Sequence, residues 1–426
     1  MNFPLEFEHR MQQQLGESWF HFLSAMNEPS PTSIRRNSRK QVHPVALERV
    51  PWSTDGYYLE TRPVFTLDPA LHAGAYYVQE ASSMFLESAL RQSVDLREPL
   101  RVLDLCAAPG GKSTLIAALL NDQSLLVSNE AIRSRVGVLT ENIHKWGNDN
   151  VVVTNNDPAD FQTLPGFFDV IVVDAPCSGE GLFRKDPEAM TEWSAENVMI
   201  CSKRQRRILT DAWPSLKENG LLIYSTCTYN AMENEENLQW LGAQHDVEFP
   251  DLQPDPSWGI ECVHESKIKG YRFYPHRLKG EGFFLSVARK KTHQDEIQPG
   301  GRGLFSPPPR KIADILRSWV MSPEEKTFIQ RNELLQFLPS AMLAEIELLV
   351  KHLNVVSAGT FMATAKHDKL IPEHPMALSL QLARDNFETL EVHQEDALRY
   401  LRRESLPLAT GKKGFALITH QQLPLG

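Results

Sequence analysis

The chain has 426 residues, 42% hydrophobic and 23% charged, with a formal net charge of −10. That length allows two or three domains with cores of their own, and the acidic balance argues against a surface coated in nucleic-acid-binding charge. No apolar run approaches the roughly 18 residues that a membrane helix needs. MNFPLEFEHR lacks a signal-peptide pattern. Five cysteines without a C-x-x-C pair argue against a disulfide framework or a structural zinc site, which fits a reducing, cytoplasmic setting.

Residues 1–98 combine a helical pattern over Met11 to Met26, a basic segment SIRRNSRK (33–40) and an aromatic stretch AGAYYVQEASSM (73–84). Strand–helix alternation then begins. RVLDL (101–105) reads as a buried strand and KSTLIAALL (112–120) as a helix. SLLVSNE (124–130) reads as a strand and AIRSRVGVLTENIHKW (131–146) as an amphipathic helix. VVVTNND (151–157) and FFDVIVVDAP (167–176) follow as strands. A long helix over about 195–217 leads into the strand GLLIYST (220–226), and GFFLSVARK (282–290) reads as a last strand suited to an antiparallel edge. Near-continuous apolar strands alternating with helices predict a parallel, doubly wound α/β sheet over 99–290. Residues 291–309, KTHQDEIQPGGRGLFSPPP, read as a linker. Beyond it, 310–426 is expected to be a separate small domain mixing helices with strands such as GFALITH (414–420). It stops at LPLG, abruptly for a strand-rich domain, so further strand residues are expected there.

Charge is unevenly distributed. Arg35, Arg36, Arg39 and Lys40 cluster in the 33–40 segment, and Lys203, Arg204, Arg206 and Arg207 in KRQRR. Glu261 to Lys291 holds eight basic and three acidic residues, whereas Asn230 to Ile260 holds seven acids and no Lys or Arg. Such patches can dock a polyanion along one face, or be ordinary solvated helix faces.

DLCAAPGGKST (104–114) ends like a phosphate-binding loop. That loop needs G-x-x-x-x-G-K-[ST], and the first glycine is replaced by Cys106. The strand ending at Asp174 does resemble the acidic strand that helps hold magnesium in such enzymes, but the missing glycine weighs against a nucleotide triphosphatase. The other reading is a strand, a glycine turn and a helix N-terminus that accept an adenosyl cofactor, with Gly110 and Gly111 allowing close backbone approach. Glu130 follows Gly111 by 19 residues, about where an acid grips ribose hydroxyls. Asp157, ending the third strand, is a candidate acceptor for the adenine amino group. Either acid can instead cap the segment that follows it.

Open α/β sheets bind ligands at the carboxyl ends of their strands. DAPCSGEG (174–181) puts Cys177 there and STCTYN (225–230) puts Cys227 there. Buried cysteines are usually inert small hydrophobes, the reading given to the Cys106, Cys201 and Cys262 thiols. Two cysteines on separate loops of one sheet edge are harder to dismiss.

DLCAAPGGKS, DAPCSGEG, FRKDPEA (183–189), STCTYN-x-x-ENE (225–235) and YRFYPHRLKGEGFF (271–284) together resemble the Nop/Sun (Fmu) family of RNA cytosine-5 methyltransferases. The likeness is greatest to its bacterial branch acting on small-subunit ribosomal RNA, the RsmF (YebU) type. It covers about 31–290 strongly and 310–426 more weakly. It implies a Rossmann-like methyltransferase core with an N-terminal α/β RNA-binding extension (1–98) and a small C-terminal α+β, PUA-like RNA-binding domain. It implies S-adenosylmethionine as cofactor and ribosomal RNA or the small subunit as partner, for a chain expected to be a monomer. The cofactor residues would be Cys106, Ala107, Ala108, Pro109, Gly110, Gly111, Lys112, Glu130, Asp157 and Asp174. The resemblance makes Cys227 the nucleophile and Cys177 the residue assisting release. DNA cytosine-5 enzymes instead use the cysteine of a Pro-Cys pair, which would point to Cys177.

The chemistry explains the need. Cytosine C5 attacks a methyl sulfonium poorly until a thiolate adds at C6, and an acid near N3 and N4, the place of Asp174, stabilises the adduct. Lowering a thiol pKa from about 8.5 to about 7 raises its thiolate fraction, but the accompanying loss of nucleophilicity leaves a net gain of only about threefold. Positioning should contribute far more. Gln79 and Ser82 match the family's site-lining segment. Arg184 and Lys185 are candidate phosphate contacts, and Tyr76, Tyr77 and Phe183 candidate stacking platforms for a base taken out of its stack. A non-catalytic RNA-binding assembly factor on the same fold is the alternative.

Overall fold

The computed structural model describes residue 1 and residues 3–40, 46–300, 303–367, 369–407 and 414–426. Five parallel strands lie side by side in the order Val151–Thr154, Leu125–Asn129, Arg101–Asp104, Phe168–Asp174 and Leu216–Thr226. Val102, Leu126, Val153 and Val170 pack into one apolar layer; Leu103, Val127, Val152 and Ile171 pack into the other. Both faces are covered, which is why these strands read as continuous apolar runs. Helices Gly111–Leu119 and Arg133–Trp146 are the crossovers between the first three strands of the chain order. The chain then returns to the other flank of Arg101–Asp104, and this reversal opens a crevice at the carboxyl ends of Arg101–Asp104 and Phe168–Asp174.

Phe283–Lys290 joins Leu216–Thr226 antiparallel, as its position suggested. A hairpin, Glu261–Glu265 with Ile268–Phe273, extends that edge. Its outer strand is mostly exposed, so its sequence ECVHE carries almost no core signal. The single helical pattern over Met11 to Met26 is two helices, Leu5–Leu15 and Trp19–Met26. Gly16, at φ +52°, ends the first. The basic segment forms a strand, Thr32–Arg36, between Gly56–Leu59 and Tyr76–Val78.

Beyond the core lie a four-stranded sheet (Lys326–Arg331, Leu334–Pro339, Thr360–Lys366 and Lys369–Pro372) and a three-stranded one (Glu388–Glu391, Ala416–His420 and Leu423–Pro424). The tail beyond 291–309, expected as a separate small domain, packs on the core. Val355–Ala358 pairs with Val151–Thr154 and completes the edge of the core sheet. Ile346 and Leu349 of helix Leu343–His352 belong to a core layer. Lys326 and Asp149 form a buried 2.6 Å ion pair between tail and core. An uncovered edge strand exposes unpaired backbone groups, and the tail satisfies them here. Gly301 and Arg302 of the expected linker lie outside the described residues.

Candidate active site

The glycine turn sits at the crevice. Gly110, at φ +115°, occupies the N-cap of Gly111–Leu119, a conformation that favours glycine. A Cβ at Gly111 would stand 3.3 Å from the Tyr77 ring. The turn is held from outside: Arg135 donates to Ala108 O (2.6 Å), Asn142 to Pro109 O (2.8 Å), and the Ala107 amide to Asn129 O (2.8 Å). Arg35 reaches in from the N-terminal sheet, donating to Gln79 Oε1 (2.9 Å) and Thr114 Oγ1 (2.6 Å). Beneath the turn, Asp104 is fully buried and accepts from Ser113 Oγ at 2.6 Å. Burial, reinforced by the nearby Asp174 and Glu130 charges, pushes its pKa up to about 7.

A cleft of about 530 Å³ opens in front of the turn. Cys106, Ala108, Glu130, Asp174, Cys177 and Cys227 line it, together with Ile132, Pro158, Leu182, Arg204 and Arg207. Glu130 Oε1 accepts the Ile132 amide at 2.8 Å and Oε2 pairs with Arg135 at 3.4 Å, with lone pairs remaining for a hydroxylated ligand. Ile132 is 53% exposed on the cleft beside it, an apolar wall of the kind that a flat heterocycle covers. The structure does not bring Asp157 into the cleft. Its carboxylate caps the 3₁₀ turn Pro158–Thr163 and pairs with Arg207 at 2.9 Å; the adjoining Pro158 takes the lining position. The alternative of capping thus describes Asp157.

Lys112, in the first turn of the helix, donates to Asp174 Oδ2 at 2.7 Å, and Ser225 donates to Oδ1 at 2.9 Å. Burial lowers the Lys112 pKa, but the charge and hydrogen bond of Asp174, together with the Asp104 charge, outweigh it and hold the pKa above the usual lysine value. Cys177 and Cys227, on the loops after the fourth and fifth parallel strands, meet with their Sγ atoms 3.0 Å apart. The Cys227 amide donates to Cys177 Sγ at 3.3 Å. The hydrogen bond with Cys227, and then burial, push the Cys177 thiol well up. Cys106 is also raised, by burial and then by the Asp104 and Asp174 charges. A thiol kept protonated beside a second thiol, facing an ion-paired carboxylate across one cleft, suits addition to and elimination from an electrophilic carbon.

Several expected contacts are internal. Phe183 is fully buried against Phe7, with ring centroids 5.0 Å apart, so it offers no platform for a base. Arg184 is buried, donates to both oxygens of Glu281 at 3.0 Å and to Gly280 O at 2.7 Å, and cannot serve phosphate. Tyr76 is buried and donates to Asp68. Ser82 donates to Glu281 O, and Gln79 accepts from Arg35. The 33–40 patch is half interior: burial lowers the Arg35 pKa to about 9 and that of Lys40 to about 7. Residues not anticipated from sequence include Ile132, visible only as an apolar residue two after Glu130, and the carboxylates Glu180 and Glu233, which lie inside the quoted motifs.

A glycine turn at the switch point of a doubly wound sheet, with Glu130 ending the adjoining strand, defines a Rossmann-like methyltransferase. Family models match three parts of the chain: 16S rRNA methyltransferase RsmB/F over residues 92–289, the N-terminal domain of 16S rRNA methyltransferase RsmF over 3–81, and the RsmF PUA domain over 387–426. The chain belongs to this family, as an RsmF-like Sun member. Ribosomal RNA small subunit methyltransferase F of Escherichia coli O6:H1 is 32% identical, over 100% of this chain and 93% of that protein. Its counterpart in Serratia proteamaculans is 33% identical over 95% and 88%. A solved methyltransferase homolog protein from Pyrococcus horikoshii is 28% identical, covers 68% of this chain and 96% of its own, and superposes with a TM-score of 0.58. No helix among the described residues is long and apolar enough to cross a membrane.

Proposed function

We propose that this protein transfers a methyl group from S-adenosylmethionine to C5 of a cytosine in small-subunit ribosomal RNA, through a covalent bond between Cys227 and cytosine C6. The observation that carries this reading is the 3.0 Å approach of the two thiols on the cleft that Asp174, paired with Lys112, also lines. The cleft volume is within the usual range for a small-molecule site. Glu130 is available to ribose hydroxyls, Ile132 and Pro158 to the adenine faces, and the Cys106–Lys112 backbone to the amino-acid end. When bound, the cofactor supplies an electrophilic methyl on a sulfonium.

Cys227 adds its thiolate to C6, and the electron pair displaced from the C5–C6 bond makes C5 nucleophilic. Asp174, held by Lys112 and Ser225, faces the N3 and N4 side of the ring and steadies the charge that develops there. After methylation C5 loses its proton to a base, and the C6–S bond breaks with its electron pair returning to Cys227. Cys177, kept protonated, donates its S–H to the departing thiolate. The assignment of the two cysteine roles follows the family resemblance.

The test incubates wild type, Cys177→Ala and Cys227→Ala with methyl-labelled adenosylmethionine and small-subunit RNA, scoring methyl transfer and denaturation-resistant protein–RNA adducts. Cys227→Ala should form no adduct and Cys177→Ala should accumulate one. The reverse pattern would exchange the two roles. No transfer by wild type to free RNA or to intact subunits would instead favour the assembly-factor reading.

A further inference from the structure

We propose that Glu233 and Glu180 are positioning residues that set the separation of the two cysteines, each gripping the loop to which it does not belong. The inference rests on the two-cysteine reading above. Glu233 follows Cys227 by six residues. It accepts the Ser178 amide at 2.9 Å, the Ser178 hydroxyl at 2.5 Å and Gln205 Nε2 at 3.0 Å. Gln205 also donates to Pro176 O at 3.0 Å, so the residues on both sides of Cys177 are held from outside its loop. The reciprocal grip comes from Glu180, three residues after Cys177. It accepts the Tyr229 amide at 3.2 Å and the Asn230 side chain at 3.3 Å, just beyond Cys227. The Gly181 amide donates to Cys227 O at 2.8 Å, and the Ser178 and Thr228 hydroxyls lie 3.1 Å apart.

Both carboxylates are fully buried. Burying a carboxylate is costly unless its lone pairs are used, and here Ser178, Tyr229 and Asn230, each within three residues of Cys177 or Cys227, supply partners beside Gln205, Trp193 and Arg10. Arg10, on helix Leu5–Leu15, pairs with Glu180 at 2.6 Å, and Gln14 donates to Tyr229 O at 3.2 Å. The N-terminal helix therefore braces the clasp. Gly181 also lets the Cys177 loop pack closely on Gly282, since a Cβ there would stand 2.3 Å from Gly282 O.

Glu233→Gln and Glu180→Gln keep the side-chain shape but turn one acceptor into a donor facing other donors. One readout needs no activity. Diamide takes two hydrogens from a close dithiol, is itself reduced to the hydrazine, and leaves a disulfide that peptide mapping locates at Cys177–Cys227. We expect that cross-link to form about 10-fold more slowly in either variant, since small displacements of reacting atoms carry penalties of this order. We also expect kcat to fall about 10- to 100-fold with the adduct persisting, while KM for adenosylmethionine stays unchanged. Folded variants that cross-link and release at wild-type rates would overturn the proposal. If wild type transfers no methyl group, the functional reading fails, and the cross-linking comparison still decides the clasp. Should a glutamate variant not fold, Arg10→Met removes the brace without substituting a residue of either loop and should slow the same cross-link; a wild-type rate would count against the proposal.

Discussion

Lys112 and Asp174 form a 2.7 Å ion pair that joins the glycine turn to the end of the fourth parallel strand, tying the cofactor side of the cleft to its chemical side. Ser225 fixes the other carboxylate oxygen, and the Lys112 ammonium lies 5.2 Å from the centre of the Phe283 ring. Two groups that orient each other act as a unit, so their losses should not add. Asp174→Asn is expected to lower the single-turnover rate by about 10²- to 10⁴-fold. Adding Lys112→Met to that variant should cost little more, less than about threefold on the same assay. Multiplicative losses would mean that the pair is only a neighbourly contact.

Arg184 illustrates how a motif residue can be misread. In FRKDP it looks like a phosphate contact beside the catalytic loop, yet it spans Glu281, Gly280 and Ala25 inside the protein. Removing one partner of a buried ion pair leaves the other charge uncompensated, which costs about 3–5 kcal/mol. Arg184→Ala should lose that much in chemical denaturation, while the folded protein binds RNA with unchanged affinity and salt dependence. Weakened RNA binding at unchanged stability would return Arg184 to the substrate face.

The central sheet and the places of Cys177, Cys227 and Asp174 were legible because they follow from strand order. Apolar runs mark the buried strands, and whatever ends such a strand stands at the ligand edge. What the sequence could not carry is which way a charge faces. Arg35 and Lys40 read as a basic patch, but one braces the glycine turn and the other donates to Ala73 O and Lys145 O. Glu180 and Glu233 sit in motifs whose obvious residue is the cysteine, and only the fold reveals that each serves the opposite loop. Val355–Ala358 escaped notice as part of the core because a strand added to an edge from 200 residues away leaves no local pattern.

Buried carboxyls give stability a distinct pH dependence. Burial pushes both Asp104 and Glu233 up to about 7. Each binds more protons folded than unfolded between an unfolded pKa of about 4 and that raised value. Their contribution is therefore most favourable at low pH and is lost as pH rises through about 7, on the order of a few kcal/mol per group. Wild type should be more stable near pH 6 than near pH 8. Asp104→Asn, which can still accept from Ser113, should narrow that difference in paired denaturant titrations. A variant with the wild-type pH dependence would show that Asp104 titrates normally in the folded chain.

Arg204 is the cleft cation left free for substrate. On helix Ala195–Ala212 it lies exposed on the cleft that both cysteines line, with no ion pair or hydrogen bond among the described residues. Its neighbours are committed: Arg207 pairs with Asp157 and Arg206 donates to Asn237. A cation already compensated by a carboxylate gains less from a phosphate than one that faces only water. Arg204→Ala should therefore weaken RNA binding and lower the slope of log affinity against log salt by about 0.7–0.9, the loss of one phosphate contact. Arg207→Ala should change the slope by less than half as much, because Asp157 is released as Arg207 is lost. Filter binding of small-subunit RNA across a salt series measures both slopes. An unchanged slope for Arg204→Ala would mean that the RNA backbone enters the cleft from another side, and would leave Lys203 and Lys185 as the cations to remove next.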